Sequence, residues 1–164
     1  VFAAAWSLGA EAGIVNKGGP SDRPRIALVI GNGAYKSVSL PNSSDDARLI
    51  STTLKSLGFD VDEQIDITRR QMKSAVARFE DRLTRAGKKA AGVFYYAGYG
   101  VQVRGKNYLV PVNAEINKEY EVDDEALDAS NVLEAMEFAG NELNFVILDA
   151  CRNNPFPRSF RSSS

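Results

Sequence analysis

At 164 residues, with 44% hydrophobic and 25% charged side chains, the chain has the length and composition of one folded domain with a sizeable core, not of a disordered protein. Twenty basic against 21 acidic residues leave a formal charge of −1, and no basic cluster tracks a phosphate backbone, so nucleic acid is not an expected partner. One cysteine and no histidine exclude an internal disulfide, a structural zinc site, and histidine-based acid/base or metal chemistry within the chain.

The chain opens on an apolar stretch, Val1 to Ala12, that ends in Ala10-Glu11-Ala12, the small-x-small form of a signal-peptide cleavage site. It is expected to be the remnant of an export signal, which would make the protein exported or periplasmic; an ordinary short helix is the alternative. Gly13 to Pro24 holds Lys17-Gly18-Gly19-Pro20-Ser21-Asp22, turn-rich and without apolar periodicity, and reads as a linker. Residues 1–24 therefore stand apart from a domain over 25–164. No later segment reaches the ~18 apolar residues that a membrane-spanning helix needs.

Arg25 to Ile30 is a short apolar run broken by Gly31-Asn32-Gly33, the pattern of a buried strand. A helix follows, capped by Ser43 or Ser44, with Asp45 and Asp46 in its first turn, where the helix dipole favours carboxylates. Its apolar face is Ala47, Ile50, Leu54 and Leu57, and Gly58 ends it. Phe59-Asp60-Val61 starts a more polar strand that suits a sheet edge. Thr68 to Gln71 has the form of a capping box, and Met72, Val76, Phe79 and Leu83 repeat at helical spacing up to Gly87.

Ala91 to Ala97 reads as a third strand that ends in Gly98-Tyr99-Gly100, and the segments around Arg104-Gly105-Lys106 read as a hairpin. Glu115 to Asp128 reads as an acidic loop, and Ser130 as the cap of a helix carrying Val132, Leu133 and Met136, closed by Gly140. Asn144 to Leu148 is a nearly continuous apolar run that stops at Asp149, which predicts a strand buried on both faces. Strands and helices in this order predict an α/β domain with a parallel sheet and right-handed crossovers.

In open α/β sheets ligands bind beyond the carboxyl ends of the strands, where Asp149 and Cys151 fall. A free cysteine is commonly a small buried hydrophobe. The functional alternative is a thiol nucleophile, which needs a neighbouring base or cation because an ordinary thiol of pKa about 8.5 is mostly protonated at neutral pH. Gly31-Asn32-Gly33 is not a dinucleotide fingerprint, since Lys36 stands where the third glycine belongs. A phospho-acceptor role for Asp149 is conceivable in such a sheet, but Asp45 and Asp46 open a helix well after the first strand, which disfavours a shared metal cluster.

Tyr95-Tyr96-Ala97-Gly98-Tyr99-Gly100 and, later, Leu148-Asp149-Ala150-Cys151-Arg152-Asn153-Asn154-Pro155 resemble the bacterial orthocaspases, relatives of metacaspases and caspases. Ile26 to Asn32, Leu40-Pro41-Asn42 and Asp46-Ala47 look like the same family. The resemblance runs from Arg25 to Phe160 and implies a caspase-type three-layer α/β sandwich, its mainly parallel sheet flanked by helices, with peptide hydrolysis by a Cys-His dyad. Cys151 matches the nucleophile, and Tyr99 stands at the position of the family's histidine.

A phenol of pKa about 10 is a poor general base at pH 7. The expected domain is therefore an impaired or dead cysteine endopeptidase, a pseudo-protease; an active enzyme with an unusual or externally supplied base, or a scaffolding module, is the alternative. Tyr99 is expected to pack its ring over the cleft with its hydroxyl bonded to backbone or to Cys151. Asp46 and Asp149 match the acidic residues that, in orthocaspases and metacaspases, shape the pocket for the residue before the scissile bond, which implies Arg or Lys there. Helix-terminus electrostatics for Asp46 and a backbone cap for Asp149 are the plainer readings.

The implied partner is a peptide or protein with basic residues. No cofactor is implied beyond the calcium that activates some metacaspases, and no loop here spells out a calcium site. The family continues past the nucleophile with a small-subunit-like segment, whereas this sequence stops at Ser164 as a large-subunit-like portion. An open sheet edge beside the Cys151 strand is therefore expected, to be covered by such a segment or another chain. Arg158 and Arg161 fall where such proteins process themselves.

Overall fold

The computed structural model describes residues 23–36 and 39–151. The signal-like stretch, the linker up to Asp22, Arg152, Arg158 and Arg161 lie outside the described residues. In chain order the elements are β1 (Arg25–Gly31), α1 (Pro41–Ser56), β2 (Asp60–Ile65), α2 (Arg69–Ala86), β3 (Ala91–Val103), β4 (Lys106–Leu109), a 3-10 turn (Glu119–Glu121), α3 (Val122–Glu125), β5 (Leu127–Asp128), α4 (Ser130–Ala139) and β6 (Leu143–Cys151). β1 pairs in parallel with β2 and β3, and β3 pairs in parallel with β6. β4 and β5 extend the far end of β3 in antiparallel pairing, so the six-stranded sheet is mixed. The α/β architecture of a mainly parallel sheet flanked by helices is the one expected from the sequence.

Side-chain alternation decides which helix each strand residue meets. Leu28, Ile30, Phe94 and Tyr96 enter a core with Met72, Phe79 and Leu83 of α2 and with Val132 and Met136 of α4. Val29, Tyr95 and Ala97 point the other way, against Ala47 of α1, with Ile50 and Leu54 partly buried around them. α2 forms as its residues dictate. Thr68 N–H donates to Gln71 Oε1 at 2.8 Å, the capping box closes, and Gly87 ends the helix at φ 83. Each large apolar side chain of its stripe contributes roughly 1.5–3 kcal/mol by leaving water.

α1 starts earlier than its serines imply. Pro41 lies in its first turn, Leu40 is an N-cap without a side-chain hydrogen bond, and Asp45 and Asp46 fall beyond the first turn. The fixed φ of proline and its missing N–H suit the first helical position, so no serine cap is required. Ser44 Oγ instead reaches Asp66 Oδ1 at 3.4 Å. Leu57 is the C-cap and is 55% exposed, outside the apolar face. α4 likewise lacks its expected cap: Ala129 is the N-cap, and Asp128 Oδ1 accepts from Ser130 N–H at 2.9 Å. Leu133 faces solvent, while Gly140 closes the helix at φ 69 as expected. The acidic stretch is not all loop, since it holds the 3-10 turn, α3 and β5.

Two strand ends also differ from expectation. β3 does not stop at Ala97 but runs through Gly98-Tyr99-Gly100 to Val103, because β6 pairs with it as far as Tyr99 and β4 takes over from Gly100. β6 continues past Asp149 to Cys151 and is not buried on both faces. Val146, Leu148 and Ala150 pack on the main core, but Phe145 and Ile147 are 42% and 38% exposed. α1 lies over β1, β2 and β3 and leaves this face of β6 uncovered. Among the described residues β6 pairs only with β3.

Candidate active site

Parallel register assembles the site. Ala97 stands opposite Asp149 and Tyr99 opposite Cys151, on neighbouring strands that end at the same side of the sheet. Backbones of paired strands lie about 4.8 Å apart, so residues distant in sequence become neighbours. Cys151 is exposed, which overturns its reading as a buried hydrophobe. Among the described residues no helix packs on the face of β6 where it stands, and its thiol is exposed there.

Tyr99 is 4% exposed, and its ring packs on Tyr35 with centroids 4.8 Å apart. Among the described residues its backbone, not its hydroxyl, makes the hydrogen bonds, in contrast to the expected hydroxyl bond to backbone or to Cys151. Tyr99 N–H donates to Tyr35 Oη at 2.9 Å, and its carbonyl accepts from Tyr96 Oη at 2.8 Å and from Val110 N–H at 3.0 Å. Burial, and then the charge of Cys151, pushes the Tyr99 phenol above its ordinary value, so it is protonated at neutral pH.

The two flanking phenols form a closed account. Each hydroxyl has one proton to give. Tyr35 Oη is 3.1 Å from Val110 O, and Tyr96 Oη is 2.9 Å from the same oxygen. All acceptors are served when Tyr35 donates to Val110 O and Tyr96 to Tyr99 O, with Asn32 Nδ2 as the second donor to Val110 O at 3.1 Å. Burial raises the Tyr35 phenol to about 12 and lifts Tyr96 well above its usual value, which keeps both as donors. A Cβ at Gly98 would lie 2.6 Å from both of these oxygens, so any other residue before Tyr99 has to displace the phenols.

One of the two aspartates meets a third phenol, and the other lies within electrostatic reach of it. Asp149 Oδ2 accepts from Tyr95 Oη at 3.4 Å. Burial, then Asp149, then Asp46 raise the Tyr95 phenol, so both carboxylates act on one hydroxyl although they come from different elements. Because Asp46 lies beyond the first turn of α1, helix-terminus electrostatics no longer accounts for it. The described partner of Asp149 is a side-chain phenol rather than a backbone N–H. Nearby, buried Asn32 accepts from Ile67 N–H at 3.0 Å, and Asp66 accepts from Gly33 and Ala34 N–H at 2.7 and 2.8 Å, which ties down the start of the β1–α1 loop.

An exposed thiol thus sits beside a protonated phenol, with two carboxylates close by. The carboxylates suit a cationic side chain, and the phenol cannot take a proton from the thiol at neutral pH. Among the described residues no three His, Cys, Asp or Glu side chains form a group that could hold a metal ion. No described helix is long and apolar enough to cross a membrane. Cys151, Tyr99, Asp46 and Asp149 are all identifiable in the sequence; Tyr35, Tyr95 and Asp66 are not. Alternation alone would put Tyr95 and Tyr99 on one face, but no local signal says that Asp149 lies opposite Ala97.

The caspase-domain family model, which describes a peptidase family, matches residues 24–163. Human mucosa-associated lymphoid tissue lymphoma translocation protein 1 is 32% identical over 142 residues, covering 84% of this chain and 16% of the relative. Its mouse homolog is 32% identical over 136 residues, covering 82% of this chain and 16% of the relative. The chain therefore spans 16% of the length of these curated relatives.

Proposed function

The chain belongs to the caspase-domain peptidase family, and on that premise we propose that it is a caspase-like cysteine-endopeptidase domain, of the orthocaspase or metacaspase branch, that is disarmed as a protease and keeps a cleft for basic side chains. The observation that carries this reading is the register pair of Tyr99 and Cys151 in a chain without histidine. Cys151 stands where the nucleophile belongs, and Tyr99 fills the place of the base that would activate it. Loss of general acid/base assistance alone costs ~10²–10⁴ in rate. In this reading Asp46 and Asp149 line the pocket for Arg or Lys, which the Asp149 bond to Tyr95 and the influence of both carboxylates on that phenol support. The same reading assigns the free side of β6, with Phe145 and Ile147 exposed, to a strand from a further segment or another chain.

The test is hydrolysis of fluorogenic peptides ending in arginine or lysine by this chain and by Tyr99→His, each alone and joined to a small-subunit-like C-terminal segment. The unmodified chain is expected to show no turnover above background. The joined Tyr99→His protein is expected to gain at least ~10²-fold, and Cys151→Ala to remove the gain. Turnover by the unmodified chain that disappears in Cys151→Ala overturns the proposal and means that the thiol is activated by another group. A rate that rises only above about pH 10 would identify the Tyr99 phenolate as that group, because its phenol is raised above the ordinary value.

A further inference from the structure

Among the described residues, the hydrogen bond to Asp149 comes from Tyr95, a residue to which the pocket reading gives no task. The Tyr95 ring is 4% exposed and packs with Val29 and Ala97 against Ala47 of α1, which fixes where its hydroxyl can be. Its Oη reaches Asp149 Oδ2 at 3.4 Å. An aspartate carboxylate otherwise turns broadly about its last torsion. A hydrogen bond at one oxygen, from a donor held by its packed ring, restrains that turning and favours one plane. Oδ2 retains a second lone pair and Oδ1 both of its own, so the carboxylate can still accept two further bonds side by side.

That favoured plane affects the two basic side chains differently. A guanidinium pairs with a carboxylate through two parallel N–H bonds and needs the planes to match, whereas an ammonium is a compact point charge indifferent to the plane. Resting on the pocket reading above, we infer that Tyr95 is a positioning residue that holds the Asp149 carboxylate in one plane and thereby makes the cleft select arginine over lysine. The donor is in place at neutral pH, because burial and the two carboxylates keep the Tyr95 phenol protonated.

The experiment is calorimetric binding of blocked tripeptide amides ending in arginine, lysine or citrulline, the neutral isostere of arginine, to the chain and to its variants. Tyr95→Phe keeps the ring and is expected to weaken the arginine peptide about fivefold to tenfold while leaving the lysine peptide within about twofold. Asp149→Glu, which moves the carboxylate by a methylene relative to Tyr95 Oη, should lower the same arginine-to-lysine ratio without touching the core. If Tyr95→Phe and Asp149→Glu leave that ratio unchanged while Asp149→Asn abolishes the preference for arginine over citrulline, the inference is overturned and the pocket stands. If the parent chain does not distinguish arginine from citrulline, or Asp46→Asn and Asp149→Asn do not affect that distinction, the pocket reading itself fails and the inference falls with it.

Discussion

Tyr95 and Tyr96 are adjacent on β3 and share a chemistry, yet the strand sends them to opposite faces and to opposite kinds of partner. The Tyr96 hydroxyl is buried beneath the strand ends and donates to the carbonyl of Tyr99. The Tyr95 hydroxyl meets the side-chain carboxylate of Asp149 on the α1 face. A carbonyl cannot turn without moving its strand, so the Tyr96 bonds lock the backbone on which Tyr99 sits. A carboxylate can turn, so the Tyr95 bond acts on a group that a ligand would meet. Identical side chains therefore hold backbone on one face and a side-chain carboxylate on the other, and the partner decides which.

Alkaline pH probes both faces at once and should have the largest effect. The phenols of Tyr35, Tyr95, Tyr96 and Tyr108 are all raised in the folded protein, burial being the leading cause. An unfolded chain releases its phenol protons near pH 10, whereas folded Tyr35 and Tyr108 hold theirs to about 12. The folded pKa lies above the unfolded one, so this stability is complete below pH 10 and is lost as pH rises from 10 towards 12. Urea midpoints measured across that window should fall steadily; a flat profile would contradict the burial of these hydroxyls.

Gly98→Ala attacks the Tyr96 face alone. Its Cβ would press on two phenol oxygens at 2.6 Å and displace both from the Tyr99 backbone, with an expected cost of about 3 kcal/mol in chemical denaturation. A loss below about 1 kcal/mol would mean that the phenols can yield, and the lock is weaker than its hydrogen bonds imply. Tyr96→Phe removes one donor and should cost about 1–2 kcal/mol. Tyr95→Phe comes last, with under about 1 kcal/mol of stability and its consequence in ligand choice instead. If Tyr95→Phe destabilised the fold more than Tyr96→Phe, the division of labour between the two faces would be wrong.

Elements that depend on their own residues were legible. Met72, Val76, Phe79 and Leu83 repeat at one helix period between a capping box and a glycine, and α2 forms there with that stripe buried. Cys151 and Asp149 could be placed at the end of a strand because an apolar run leads up to them. The failures share a cause, which is that a neighbour decided the outcome. The run in β6 looked buried on both faces, but α1 covers only β1, β2 and β3, so Phe145 and Ile147 face outward. The glycines after Ala97 read as the end of the strand, but paired neighbours on β6 and β4 carry β3 through them.

By itself the sequence determined the order of β1, α1, β2, α2, β3, β4, α4 and β6, the single thiol, the lack of any histidine to activate it, and the two aspartates, because composition and short-range periodicity are properties of the chain alone. Only the tertiary structure decided that Tyr99 lies beside Cys151, that the Tyr95 hydroxyl meets Asp149, and that Tyr35 and Tyr96 hold the Tyr99 backbone. Those pairings follow from parallel register and from the face each side chain takes. Both are set when distant strands dock and bury their apolar faces together, and a single strand read alone carries neither.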